Sequence, residues 1–235
     1  MGKVLFVLKG AGFGCLLLCS SLAFSASCAP QPPEEVEVID ADLLRRGAEA
    51  RTFVYECGEE YEFVARIEGE KAWLFLPGRT VLLPQVPSGS GAKYSNGQIT
   101  YWSKGEEALI LFGEQERYSC RNNRQRAVWE HAKLGGVSFR AVGNEPGWHL
   151  EIYMAERIVL VTDYGESRLE FAVPEPDRDP RARTATYRIQ DGEHDLTILI
   201  EGKPCQDTMS GEEFESAVTV TLDGRTLQGC GRALH

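Results

Sequence analysis

Ser90, Lys93 and Lys104 put one hydroxyl and two ammonium groups into a short stretch, Ser88-Gly89-Ser90-Gly91-Ala92-Lys93-Tyr94 followed by Tyr101-Trp102-Ser103-Lys104-Gly105. Two kinds of chemistry fit them. Ser90-x-x-Lys93 has the S-x-x-K spacing of a serine nucleophile with a lysine one helical turn later, a motif that acts only at the start of a buried helix. Ser90 with Lys104 needs no helix, only two strands that bring a hydroxyl and an ammonium to one rim. The intervening residues favour the second arrangement. Gly89, Gly91 and Asn96-Gly97 read as a β-hairpin with its approach loop, and no K-T-G motif follows. If Asn96-Gly97 is a two-residue turn, Ser95 faces Gln98 and Ser90 faces Ser103. If the turn is one residue longer, Ser90 faces Lys104. Lys93 is then a loop residue rather than a base, and a bland reading of the whole stretch as an ordinary Gly/Ser loop stands beside the functional one.

The other chemistry-bearing residues do not converge. His131, His149, His194 and His235 are scattered without metal-ligand spacing, and no metal or cofactor is expected. Glu59-Glu60, Glu106-Glu107 and Glu212-Glu213 fall at turns and read as exposed charge. No hydrolytic site emerges, so the chain is not expected to be an enzyme.

The hairpin needs a scaffold, and the surrounding sequence alternates with a period of two. Strands are expected at 52–57, 61–68, 72–76, 79–83, 92–95, 98–103, 108–112 and 116–120, separated by turn signals such as Pro77-Gly78 and Lys104-Gly105. Eight short antiparallel strands close into a barrel or split into a sandwich. Cys57 and Cys120 lie in the first and last of them, and a bridge joining the two ends favours the closed barrel. The fold class is therefore all-β: a barrel over 51–120, a helical connector over 121–136, and a second β-rich unit over 137–235. The connector has Asn122 or Asn123 as its cap and Gly135-Gly136 as its stop, and its arginines read as a solvated face. The second unit is expected to hold eight strands, with a proline-rich charged loop at 174–183.

The 235 residues carry a net charge of −10, which argues against nucleic acid and favours basic partners. Met1 to Ser27 has Lys3 and Lys9, an apolar stretch and small residues before Cys28, as in an export signal. A retained transmembrane anchor is the alternative reading. Seven cysteines are present; Cys15 and Cys19 leave with the signal. Cys57 pairs with Cys120 and Cys205 with Cys230 as sequence-local units, which leaves Cys28 over. The segment before Cys28 resembles a bacterial lipobox with Ser25 where leucine is usual; a lipid on Cys28 would explain the odd cysteine, and cleavage after a small residue without lipidation is the alternative. Residues 28–50, with Pro30, Pro32 and Pro33, read as a stiff tether from the membrane, and 40–46 as a short helix.

Taken together, Tyr55-x-Cys57, Ala72, the Ser88–Tyr94 segment, Tyr101-Trp102-x-Lys104-Gly105-x-x-Ala108 and Tyr118-x-Cys120 resemble the membrane-bound inhibitors of C-type lysozyme, the MliC/PliC family, over about 53–120. The resemblance implies a lipid-anchored, eight-stranded barrel on the periplasmic side of a bacterial outer membrane, with C-type lysozyme as its partner. It implies that a loop carrying Ser88, Gly89, Ser90, Gly91, Ala92, Lys93 and Tyr94, with Trp102 and Lys104 beside it, enters the lysozyme cleft, where Ser90 and Lys104 meet the catalytic carboxylates. The second unit, through Gly143-Asn144-Glu145-Pro146-Gly147-Trp148, Cys205-x-Asp207-x-Met209-Ser210-Gly211 and Gly229-Cys230-Gly231, resembles an uncharacterised bacterial envelope lipoprotein domain. A small-ligand or cell-wall site near Glu145, Trp148 and Asp207 is one reading of those residues; turn, packing and disulfide support is the preferred one. A glycan-binding protein or enzyme acting through this second unit is the alternative function.

Overall fold

The computed structural model describes residues 50–114, 116–154 and 156–235. The expected export signal, the lipidated Cys28, the tether and the helix at 40–46 lie outside the described residues. The first unit is a closed antiparallel barrel of β1 (Arg51–Cys57), β2 (Glu62–Glu68), β3 (Lys71–Leu76), β4 (Arg79–Val86), β5 (Ala92–Ser95), β6 (Ile99–Lys104), β7 (Glu107–Phe112) and β8 (Glu116–Asn122). Each strand pairs with the next, and β8 returns to β1 with Cys57 opposite Cys120. The disulfide between these two cysteines, with Cα atoms 4.0 Å apart, crosses that closing seam.

The period-two pattern fills the barrel. Phe63, Ala65 and Ile67 of β2, Ala72, Leu74 and Leu76 of β3, and Tyr101 and Ile110 of β6 and β7 point inward and are buried, as a barrel of eight strands leaves room only for side chains. At its centre the Tyr101 hydroxyl donates to the Tyr55 hydroxyl at 3.0 Å. Burial pushes both phenols up, so they stay neutral donors.

One helix, α1 (Arg124–Leu134), follows the barrel. Asn123 caps it, its Oδ1 accepting from Arg126 N at 3.1 Å, and the chain leaves it at Gly135. The arginines of α1 are exposed, as expected of a solvated face, and they also reach carboxylates of the barrel. Arg126 bridges Glu56 at 3.0 Å and Glu62 at 2.8 Å, and Arg124 bonds Glu106 at 2.5 Å. His131 Nδ1 lies 3.1 Å from Thr52 Oγ1. On its other side, Trp129 packs on Phe214 and takes the guanidinium of Arg232 over its ring at 4.5 Å, so α1 touches both β units.

The second unit is an open, curled sheet of nine antiparallel strands. Its members are β9 (Val137–Asn144), β10 (Gly147–Tyr153), β11 (Arg157–Thr162), β12 (Ser167–Ala172), β13 (Asp177–Asp179), β14 (Thr184–Gln190), β15 (Asp195–Glu201), β18 (Ser216–Leu222) and β19 (Arg225–Ala233). They run in the order β12-β11-β10-β9-β19-β18-β15-β14-β13, while β16 (Cys205–Gln206) and β17 (Glu213–Phe214) form a separate ribbon. The segment expected as a loop at 174–183 contributes β13. Pro174 and Pro176 precede this edge strand and restrict the backbone that leads into it. Leu150, Ile158, Leu160, Leu196, Ile198 and Val220 form the buried core on one face. The Cys205–Cys230 disulfide ties the small ribbon to β19.

Candidate functional site

The hairpin of β5 and β6 carries the site. Its register differs from both expected registers: Ser95 faces Thr100, Tyr94 faces Tyr101 and Ala92 faces Ser103. Side chains in the turn explain the extra length. Asn96 Oδ1 accepts from Gln98 N at 3.1 Å and Ile99 N at 2.8 Å, and Ser95 Oγ accepts from Gly97 N and donates to Ile99 O. These bonds replace the two-residue turn that Asn-Gly suggests with a wider one closed by the Asn96 N to Ile99 O bond at 3.2 Å. The continued register puts Gly91, not Ser90, across from Lys104.

The approach loop nevertheless packs closely against the end of β6, beside Lys104. Gly91 has φ +67°, and a Cβ placed on it would lie 2.3 Å from the Ser103 carbonyl oxygen and 3.3 Å from Lys104 Cβ. Only glycine allows this approach. Two bonds lock the loop there: Ser88 Oγ donates to Gly91 O at 3.0 Å, and Trp102 Nε1 donates to Ser90 O at 2.7 Å. The Lys93 ammonium sits 5.8 Å from the Trp102 ring centroid, within cation–π range. Lys93 and the Ser90 carbonyl thus meet Trp102, and Gly91 meets Lys104, at one end of the hairpin.

The electrostatics of the rim follow from what is left unpaired. Ser88, Gly89, Ser90, Gly91 and Lys104 are exposed. Lys104 has no ion-pair partner among the described residues, and the Ser90 hydroxyl has no hydrogen-bond partner there. A groove of about 540 Å³ on the outside of the barrel begins at Trp102 and Lys104 and continues past Leu109, Arg117 and Arg121. Tyr94 differs from the rest of the loop. It is 2 % exposed and stacks on Tyr101 inside the barrel, so it supports the hairpin from within and offers no surface to a partner in the free protein. Lys104 can pair with an anionic partner and Ser90 with a hydrogen-bonding one.

Glu106, read from the sequence as an exposed turn charge, is instead an anchor. Arg124 first, and Asn122 with it, hold its carboxyl down to about 2. It fixes the turn directly after Lys104. Sequence reading missed this role because the partners are eighteen and sixteen residues away.

In the second unit Glu145 and Asp207 line one groove, and Trp148 lies outside it. Trp148 is buried, its Nε1 donating to Gln228 O. Asp207 accepts from Met209 N, Ser210 N, Ser210 Oγ and Asn144 Nδ2, which closes its own turn and ties it to β9. Glu145 alone is exposed, at the edge of a groove of about 700 Å³ that also reaches Asp207 and the Cys205–Cys230 disulfide. No group of three metal-binding side chains occurs among the described residues.

Residues 55–119 match the family model described as membrane-bound lysozyme-inhibitor of c-type lysozyme. Two curated relatives carry the name membrane-bound lysozyme inhibitor of C-type lysozyme. One, from Yersinia enterocolitica, is 40% identical over 60 residues, which are 25% of this chain and 51% of that protein. The other, from Pseudomonas aeruginosa, is 34% identical over 71 residues, 28% of this chain and 55% of that protein. The chain spans about half the length of these relatives. A solved structure, Pseudomonas aeruginosa MliC in complex with hen egg white lysozyme, is 28% identical over 32% of this chain and 83% of its own, with a TM-score of 0.27. The family model covers the barrel from Tyr55 to Ser119, and in that segment the chain is similar to the membrane-bound inhibitors of C-type lysozyme.

Proposed function

We propose that this chain is an exported, lipid-anchored protein that inhibits C-type lysozyme by inserting the 88–94 loop into the catalytic cleft. The observation that carries the reading is the exposed loop itself: Gly91 packs against Ser103 and Lys104, Trp102 holds the Ser90 carbonyl, and neither the Lys104 ammonium nor the Ser90 hydroxyl has a partner among the described residues. A lysozyme cleft holds one carboxylic acid and one carboxylate around the scissile bond. Lys104 pairs with the ionised group and Ser90 hydrogen-bonds the other, while Ser88 to Lys93 fill the space a sugar would take. The MliC-family match supports the partner, and the net charge of −10 suits a basic one.

The division into a signal at 1–27, a lipidated Cys28 with its tether, an inhibitor barrel at 51–120, a connector at 121–136 and an accessory β unit at 137–235 belongs to the same reading. It places the protein on the periplasmic side of the outer membrane. Cleft insertion requires competition with substrate. Titrating lysozyme with the full chain in the presence of a cleft-binding chitooligosaccharide should shift the inhibition curve to higher concentration. A curve that does not move with the oligosaccharide overturns insertion into the cleft.

A further inference from the structure

The second unit has a cavity of about 370 Å³ that neither the hairpin nor the family match accounts for. Its floor is made by Phe139, Tyr187 and Ile200, which also pack against the buried core of the curled sheet. Arg178, Arg183, Asp179 and Ser216 also line it. The cavity is therefore an open depression with an apolar side and two arginines against one aspartate.

That charge balance runs against the composition of the chain. Residues 177–188 hold Arg178, Arg181, Arg183 and Arg188 against Asp177 and Asp179, in a protein of net charge −10. Arg188 is paired with Asp177 at 3.6 Å. Asp179, which also borders the cavity, accepts from Arg181 N at 2.8 Å and Ala182 N at 3.0 Å through its Oδ1. Arg178 and Arg183 have no acidic partner among the described residues.

Arg183 is also held in place. Its backbone is left-handed, φ +56°, a conformation that costs a non-glycine residue energy and persists where the surroundings enforce it. Here Gly202 N donates to Arg183 O at 2.8 Å. The side chain lies across Gly202 so closely that a Cβ there would stand 3.1 Å from Arg183 Nε and 3.2 Å from a terminal guanidinium nitrogen. A strained, seated guanidinium without an anion is a pre-organised fork for one. Arg178 sits opposite Ala185 in the β13–β14 register, diagonal to Tyr187, and so reaches the same depression.

From this juxtaposition we infer that the depression between β13–β14 and β9 is a binding site for a small anionic amphiphile, with its apolar part on Phe139, Tyr187 and Ile200 and its carboxylate or phosphate held by Arg178 and Arg183. The volume lies at the low end of small-molecule sites, so the apolar part is a short chain or single ring rather than a whole phospholipid.

Calorimetric titration of the full chain tests this with four probes: octanoate, octyl phosphate, octanol and inorganic phosphate. At least one of the two amphiphiles binds with a single site, and the tighter one assigns the head group as carboxylate or phosphate ester. Octanol and inorganic phosphate, the tail and the head alone, bind more weakly. Arg178→Ala and Arg183→Ala each weaken binding by about tenfold or more, whereas Arg188→Ala, which removes an arginine already paired, leaves it unchanged. Absence of binding by both amphiphiles at millimolar concentration overturns the assignment. So does binding that survives in the Arg178→Ala/Arg183→Ala double variant, or octanol binding as tightly as the anions.

Discussion

Lys104 is exposed, and two neighbours hold the loop that packs against it. Gly91 lets the loop touch the Ser103 carbonyl, and Trp102 fixes the Ser90 carbonyl from below. Both act on position rather than on contact area. Gly91→Ala places a Cβ against backbone and in a left-handed conformation that costs about 1–2 kcal/mol for a non-glycine residue, so the loop must move away from Lys104. We expect lower thermal stability and weaker lysozyme inhibition in the same variant. Trp102→Phe keeps the ring but removes the indole donor, so inhibition weakens by about 0.5–1.5 kcal/mol with little change in unfolding temperature. Equal inhibition by Trp102→Phe and the unaltered protein would show that the bond to Ser90 does not position the loop. The residues of the rim were legible as types in the sequence, but their register was not. Turn counting treats Asn96-Gly97 as backbone only, and the bonds made by the Ser95 and Asn96 side chains shift every pairing beyond them.

At the scale of elements, α1 is where sequence reading was least informative. Its length and caps follow from Asn123 and Gly135, but a charged helix gives no internal sign of whether its arginines face water or carboxylates on strands far away in the chain. The ion pairs to Glu56, Glu62 and Glu106 make the docking of α1 sensitive to acid. Hydrogen bonds from Asn123 and Arg126 lower the Glu56 carboxyl, Arg126 lowers Glu62, and Arg124 lowers Glu106. A carboxyl held down in the folded state contributes stability above its ordinary range, near 4.5, and loses it as pH falls through the folded value. His131 acts in a separate window: burial lowers it from 6.5, so its contribution is complete above 6.5 and declines as pH falls below. Urea unfolding from pH 7 down to 2 should therefore show two declines. In an Arg124→Ala/Arg126→Ala variant, destabilised modestly near neutrality because these pairs are partly exposed, the lower decline should become shallower, leaving the part due to Asp163, Asp191, Asp207 and Asp223, while the upper one remains. An unchanged lower decline would remove these ion pairs from the account.

For the whole molecule, the barrel was readable because three independent signals agreed: period-two alternation, hairpin-length turns, and Cys57 and Cys120 at the two ends of the sheet. The curled sheet was readable in its long strands but not in β13, β16 and β17, which have two or three residues each and exist through pairing that no local pattern encodes. Net charge is a property of the same scale. With −10 on the chain, association with a basic lysozyme should slow as salt rises from about 10 to 150 mM, because the screening length falls to about 8 Å, while dissociation changes less. A salt-independent association rate would mean that the overall field does not steer the encounter. The central claim is narrower and rests on two side chains. Lysozyme activity titrated with the full chain and with its Ser90→Ala/Lys104→Ala variant tests it directly: the account predicts inhibition by the unaltered protein and a loss of at least about 2–5 kcal/mol of binding in the double variant, and equal inhibition by the two proteins would contradict it.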